Sequence, residues 1–332
     1  MDSQPGFRKE DTAGLSTHTL ARLQARSRDV MEKAGLWVAR CTQERLAEMG
    51  VRTQCLSLFG LSCALRASAA SDQPSEMLKT VERLVEKLLD DWDQPVDGLQ
   101  AKFPSGVFVT AMMAAAALVS DSPTAHTYRK RCRSEWASIE QSAELRARAT
   151  LLWTGRHLDR VISGAPQPLH KLAPWPTEIS GQPMPYTISS DGIHQIVKEI
   201  AALSAFGQSP LPLSPTAKDY LEDFIPFWTF FYIKENDLDM VAPLVRALNY
   251  LGLTTIPEYL DGLNFILQQS KDDGRFGMQE MAIHLQSLTG GGSVDKRLEI
   301  YLPLTVASLW ALLDGLYPTR APFKLGVCTQ VV

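Results

Sequence analysis

Between Ile300 and Leu316 the chain reads as a helix that is apolar nearly all the way round. Such a helix is stable only when other elements enclose it. A second segment of this kind runs from Gly106 to Val119, where Val107, Phe108, Val109, Met112, Met113 and four consecutive alanines leave no polar face. Other segments have the two faces needed to wrap them. Ser75 to Asp93 sets Val81, Leu84, Val85, Leu88, Leu89 and Trp92 on one side, with Glu82, Lys87 and Asp91 opposite. From Asp237, the residues Val241, Leu244, Val245, Leu248 and Leu251 fall at helical spacing, leaving Arg246 and Asn249 for other faces, and Gly252 stops the helix. Ile256 to Gln269 follows with Tyr259, Leu260, Leu263, Ile266 and Leu267 on its buried side and ends at the turn Asp272-Asp273-Gly274. The connection between these last two is short, which favours an antiparallel hairpin.

The same reading predicts helices over about 20–49, 55–70, 124–137, 140–162, 191–206, 216–233 and 278–288. Two-faced and all-apolar helices alternate, and no strand-type alternation interrupts them. About twelve helices of this kind predict an all-α fold in two concentric layers, an α/α toroid, as one domain over residues 20–320. Residues 1–19 and 321–332 are expected to be tails, the first of them disordered. Residues 164–186 carry Pro166, Pro168, Pro174, Pro176, Pro183 and Pro185, a density that disfavours helix. This Pro-rich stretch is expected to be a connector or a lid, with Trp175 and His170 pointing inward.

Composition narrows the function classes. A chain of 332 residues that is 45% hydrophobic can build a large core. A net charge of −4 provides no basic field for a nucleic acid. The apolar run from Val107 to Val119 is shorter than the roughly 20 residues a membrane-spanning helix needs. Cys41, Cys55, Cys63, Cys132 and Cys328 include no Cys-x-x-Cys pair and read as reduced core thiols. The first twenty residues lack the apolar core of a secretory signal, so a cytoplasmic protein is expected.

The segment Phe265-Ile-Leu-Gln-Gln-Ser-Lys-Asp-Asp-Gly-Arg-Phe-Gly277 resembles the Gln-rich, Asp-Gly-aromatic repeat of the terpenoid cyclase and protein prenyltransferase toroids. In those proteins a helix ends, Asp-Gly turns the chain, and an aromatic packs beneath. The resemblance implies the α/α barrel. It carries no metal site, because Asp239 is followed by Met240, Asp90-Asp91 leads only to Gln94, and no Asp, Cys and His trio stands at the zinc positions. No cofactor is expected. Asp237-Leu-Asp239 with the Leu-rich helix and Leu251-Gly252-Leu253 also resembles an uncharacterised actinobacterial family of all-helical proteins.

The candidate catalytic residues are His194, Asp237, Asp239 and His284. His194 lies at the edge of an apolar face, with Asp191 three residues earlier as the expected carboxylate partner. His284 occupies a similar edge. Asp237 and Asp239 open a helix, where one carboxylate is accounted for by capping and helix starts at a barrel mouth display acids. Arg275 is placed to hold an anionic group, with Tyr186 and Tyr301 as proton donors, and Trp228 and Trp175 as pocket-lining aromatics. These residues point to a non-redox cyclase or lyase of specialised metabolism. It would act by proton transfer on a small-molecule substrate, free or attached to a carrier protein. The alternative is a non-catalytic helical binding subunit presenting its surface to a protein partner. A third reading is a glycoside hydrolase with carboxylates about 5 to 9.5 Å apart.

Overall fold

The computed structural model describes residues 9–67, 75–92, 178–204, 207, 210–277 and 295–316. Those residues are all-helical: α1 Lys9–Arg45, α2 Val51–Ala67, α3 Ser75–Trp92, α4 Glu178–Gly181, α5 Ser190–Leu203, α6 Pro215–Lys234, α7 Leu238–Tyr250, α8 Pro257–Gln268 and α9 Asp295–Leu316. Extended pairing among them is confined to one isolated bridge, Ser270 with Phe276. No described helix is long and apolar enough to cross a membrane. The helices expected over 106–119, 124–137, 140–162 and 278–288 lie outside the described residues, as do Trp175, His170 and His284.

The apolar helix α9 is enclosed as its sequence demands. It packs on α2 and α7 and is also touched by α1 and α8, while α1 and α8 touch each other. Helices α2, α9 and α7 thus form a row with α9 in the middle, and α1 and α8 cover its seams. Tyr301, Leu302, Leu309, Leu312 and Leu313 of α9 are almost wholly buried. The antiparallel hairpin of α7 and α8 forms as expected, with α6 packed against both. Helix α7 ends in a Schellman motif: Leu253 N–H bonds Leu248 O and Gly252 N–H bonds Asn249 O, with Gly252 at φ +77°.

Three departures from the sequence reading have physical causes. Helix α1 begins at Lys9, so part of the expected N-terminal tail is helical. Extending a formed helix costs far less than nucleating one. Within the Pro-rich stretch, Glu178–Gly181 closes one helical turn because Glu199 of α5 accepts from Glu178 N–H at 3.0 Å and from Ile179 N–H at 3.1 Å. Arg246 and Asn249 of α7, expected on faces away from the core, are buried. Helix α7 is packed by α5, α6, α8 and α9 together, leaving it no wet side except at its start.

The strap that follows α4 is fastened to α6. Tyr220 donates its hydroxyl to Pro183 O at 2.7 Å, and Trp228 donates Nε1–H to Pro185 O at 3.1 Å. Glu199 holds the other end, and burial raises its pKa above the ordinary value although both backbone bonds oppose the shift. The folded chain therefore keeps that proton to higher pH than the unfolded chain, and stability falls as pH climbs between the two values. Glu199→Ala leaves two N–H groups without their acceptor and is expected to cost about 1–3 kcal/mol. Melts of native and variant chains between about pH 4 and 7 check both the loss and its pH slope.

Candidate functional site

The site is built where α6 passes into α7. Helix α6 also ends in a Schellman motif, with Asn236 in the left-handed position at φ +56° and Asp237 N–H bonded to Tyr232 O at 3.0 Å. Asp237 is at once the residue that completes this motif and the N-cap of α7, its carboxylate accepting from Met240 N–H at 3.1 Å. Opposite this junction, Gln269 caps α8, donates Nε2–H to Asn236 Oδ1 at 3.2 Å and receives Gly277 N–H at 3.2 Å. The loop from Ser270 to Phe276 closes on itself through Lys271 N–H to Arg275 O and seats Phe276 wholly in the core, where its N–H meets Thr305 Oγ1 at 3.0 Å.

These parts enclose a cleft of about 280 Å³ lined by Glu235, Asn236, Asp237, Leu238, Asp239, Gln269, Gly277 and Leu304. Among the described residues, the lining holds three carboxylates and two carboxamides and no cationic side chain. Pro243 has no N–H to offer the carbonyl of Asp239, so an acceptor beside the cleft lacks its usual helical donor. A cavity of this chemistry favours a cationic ligand or one rich in hydrogen-bond donors.

His194 reaches this junction from α5, its Nε2 standing 3.9 Å from Asp239 Oδ2. That is ion-pair distance and beyond a hydrogen bond. The pairing expected with Asp191 gives way to one with Asp239, because packing of α5 against α7 brings the first turn of α7 to the imidazole. His194 is half-buried and Asp239 is exposed. An imidazole with a carboxylate at this range can take up or release a proton, and such contacts tighten when a substrate is engaged.

The other candidates divide. Arg275 does not line the cleft. Its guanidinium lies over the Tyr301 ring, 4.6 Å from the centroid, and its Nε is 3.1 Å from Asp273 Oδ2 without hydrogen-bond alignment. Tyr301 is fully buried next to Gly277, its hydroxyl without a hydrogen-bond partner among the described residues. Both therefore adjoin the cleft from behind its wall. Trp228 is buried against Tyr220 and Phe224 and holds the strap, while Tyr186 is exposed at the strap's end. Cys55 and Cys63 are buried free thiols whose burial pushes them up to about 12, and they contribute no nucleophile here. Among the described residues, no group of three or more His, Cys, Asp or Glu side chains is arranged to hold a metal ion.

A second polar cluster was missed from sequence. Arg246 of α7 donates Nε–H to Asp314 Oδ2 at 2.9 Å and Nη2–H to Tyr250 OH at 2.7 Å, and Tyr250 in turn donates to Asp314 Oδ2. Asn249 Nδ2–H bonds Asp314 O at 2.7 Å, and the guanidinium sits 3.2 Å from the centre of the Trp310 ring. Burial pushes the Tyr250 hydroxyl well above its ordinary value and keeps it a donor. For Arg246, burial opposes the charge, but Tyr250 and Asp314 outweigh it and hold the guanidinium protonated. These bonds join Arg246, Asn249 and Tyr250 of α7 to Asp314 of α9, which makes the cluster a clamp between the two helices. The one available signal was Asp314, the single charged residue from Ile300 to Leu316 of α9.

Comparison with curated proteins and with solved structures gives no match for the chain. Residues 25–300 match the model of the domain of unknown function DUF6895, and the chain belongs to that family.

Proposed function

We propose that this chain is a non-redox enzyme of specialised metabolism, of cyclase or lyase type, that moves protons on a small donor-rich molecule held at the start of α7. His194 exchanges the proton. Asp239 steadies the imidazolium, and Asp237 keeps the first turn of α7 in place by capping it. The observation that carries this reading is the approach of His194 to Asp239 from two different helices, beside a cleft lined by acceptors. The proposal includes the toroid. Its support is the row of α2, α9 and α7 beneath α1 and α8, in which α2 from the first quarter of the chain meets α9 near its end.

The test is a panel of small amines, amino sugars and polyols, screened by thermal shift on the native chain and followed by mass spectrometry for conversion. A compound converted by the native chain is expected to be turned over about 100-fold or more slowly by His194→Ala and by Asp239→Asn. Melting temperatures of both variants should stay at the native value, since neither side chain is fully buried. Conversion that survives both substitutions removes the proposed acid–base pair. Binding that depends on them with no conversion of any compound assigns the cleft to a ligand-binding subunit instead.

A further inference from the structure

Among the described residues the exposed large apolar side chains are Met184, Tyr186, Phe227, Phe230 and Phe231, and all five lie on α6 or on the strap bonded to it. Phe227 is 49% exposed and Phe230 is 53% exposed. They stand in line with exposed Asp223 and Lys234. The positions 223, 227, 230 and 234 are spaced by four, three and four residues, which is one straight seam along a helix. The opposite face of α6 already packs into the core through Leu221, Ile225 and Thr229, so among the described residues this seam is left facing outward. Contiguous aromatic surface of this kind, flanked by charge, marks an association site.

The geometry points to a second copy of this chain as the occupant, docked with its α6 antiparallel to the first. We propose that a two-fold axis passes between Phe227 and Phe230. It sets each Phe227 against Phe230 of the second copy and each Asp223 against Lys234 of the second copy, once on either side. Asp223 makes no ion pair among the described residues, and the Lys234 ammonium rests 5.2 Å from the Phe230 ring centre. Within one helix Asp223 and Lys234 are eleven residues apart, about 16 Å along the axis, so they cannot pair with each other. A parallel arrangement would oppose Asp223 to itself and Lys234 to itself. The charges therefore select the antiparallel pairing while the phenylalanines supply the affinity. Phe231 widens the patch on α6, and Met184 and Tyr186 carry it beyond that helix, as an interface in the usual range of about 1,200–2,000 Å² requires.

Sedimentation velocity on the full chain is expected to give the mass of two copies, and Phe227→Asp with Phe230→Asp the mass of one, with helical content by circular dichroism unchanged and a melting temperature lowered only by the lost association. Asp223→Lys alone and Lys234→Asp alone should each weaken the dimer about tenfold, by losing two rim pairs and adding repulsion. The two charge changes together should restore it. That rescue distinguishes a contact between copies from a structural role, and it remains readable if the double aspartate variant misfolds. A single-copy mass for the native chain at about 50 μM overturns the proposal, being far above the dissociation constant of a stable interface. So does a dimer indifferent to Phe227 and Phe230, or a charge exchange that fails to rescue. A monomer that uses Phe227 and Phe230 to capture a different protein overturns it too and gives the face to that protein.

Discussion

Asp314→Ala is expected to destabilise the fold by about 3–5 kcal/mol, because it strips a buried guanidinium of the carboxylate that neutralises it. Arg246 donates to Asp314 Oδ2 at 2.9 Å and lies on Trp310, with α5, α6, α8 and α9 packed around its helix. Water cannot replace the lost acceptor without opening that packing. Tyr250 loses the same oxygen while still accepting from the guanidinium, and it cannot take up the lost negative charge at ordinary pH because burial holds its hydroxyl protonated. Denaturant unfolding reads the loss as a lower midpoint at unchanged slope. The companion experiment replaces both ions, Arg246→Met with Asp314→Leu, and should recover most of the stability. Removing an ion pair whole avoids the stranded charge that removing half of it creates. A single substitution costing under about 1 kcal/mol would show that water enters the cluster and screens it.

The sequence disclosed what is local and concealed what is tertiary. The amphipathic pattern of Ser75–Trp92 and the spacing from Val241 to Leu248 place α3 and α7 almost to the residue, because one buried face imprints a 3.6-residue period. Gly252 marks a helix end through a backbone conformation that few residues adopt. Arg246 defeats the same reasoning. A periodic reading sends a lone cation to the wet side, and only the presence of α9 with Asp314 on it reveals that the helix has a polar contact inside. His194 was legible as a candidate, yet its carboxylate was sought one turn back on α5, since a chain reading sees neighbours in sequence. The actual neighbour, Asp239, arrives from 45 residues away by the docking of α7. Asp237 was legible as a cap, and capping is what it does. Arg275 was legible only as a cation beside an Asp-Gly turn, expected to hold an anion. Its contact with Tyr301 depends on the fold of the 270–277 loop against α9.

That loop gives the second large effect. Gly274→Ala is expected to cost about 2–5 kcal/mol, from two independent causes that add. Gly274 sits at φ +96°, a conformation that L-residues avoid, and a Cβ placed there would lie 2.2 Å from the carbonyl oxygen of Lys33 and 2.5 Å from its carbon. The obstacle is the backbone of α1, which cannot rotate aside as a side chain would. To admit the methyl group, either the loop lifts away or α1 shifts against α8 and α9. Lifting the loop withdraws Phe276 from the core and breaks its N–H bond to Thr305, so the strain passes to a side chain that is fully buried. It also draws Gly277 and Gln269 apart, and these form one wall of the cleft. Gly274→Ala should therefore lower the melting temperature and weaken any ligand held beside His194 in the same variant. Gly252→Ala supplies the control. It shares the positive φ at +77° but has nothing within 4 Å of the added carbon, so it should show only the conformational part, about 1–2 kcal/mol. Equal losses at the two glycines would mean that the loop rests on α1 more loosely than these distances indicate.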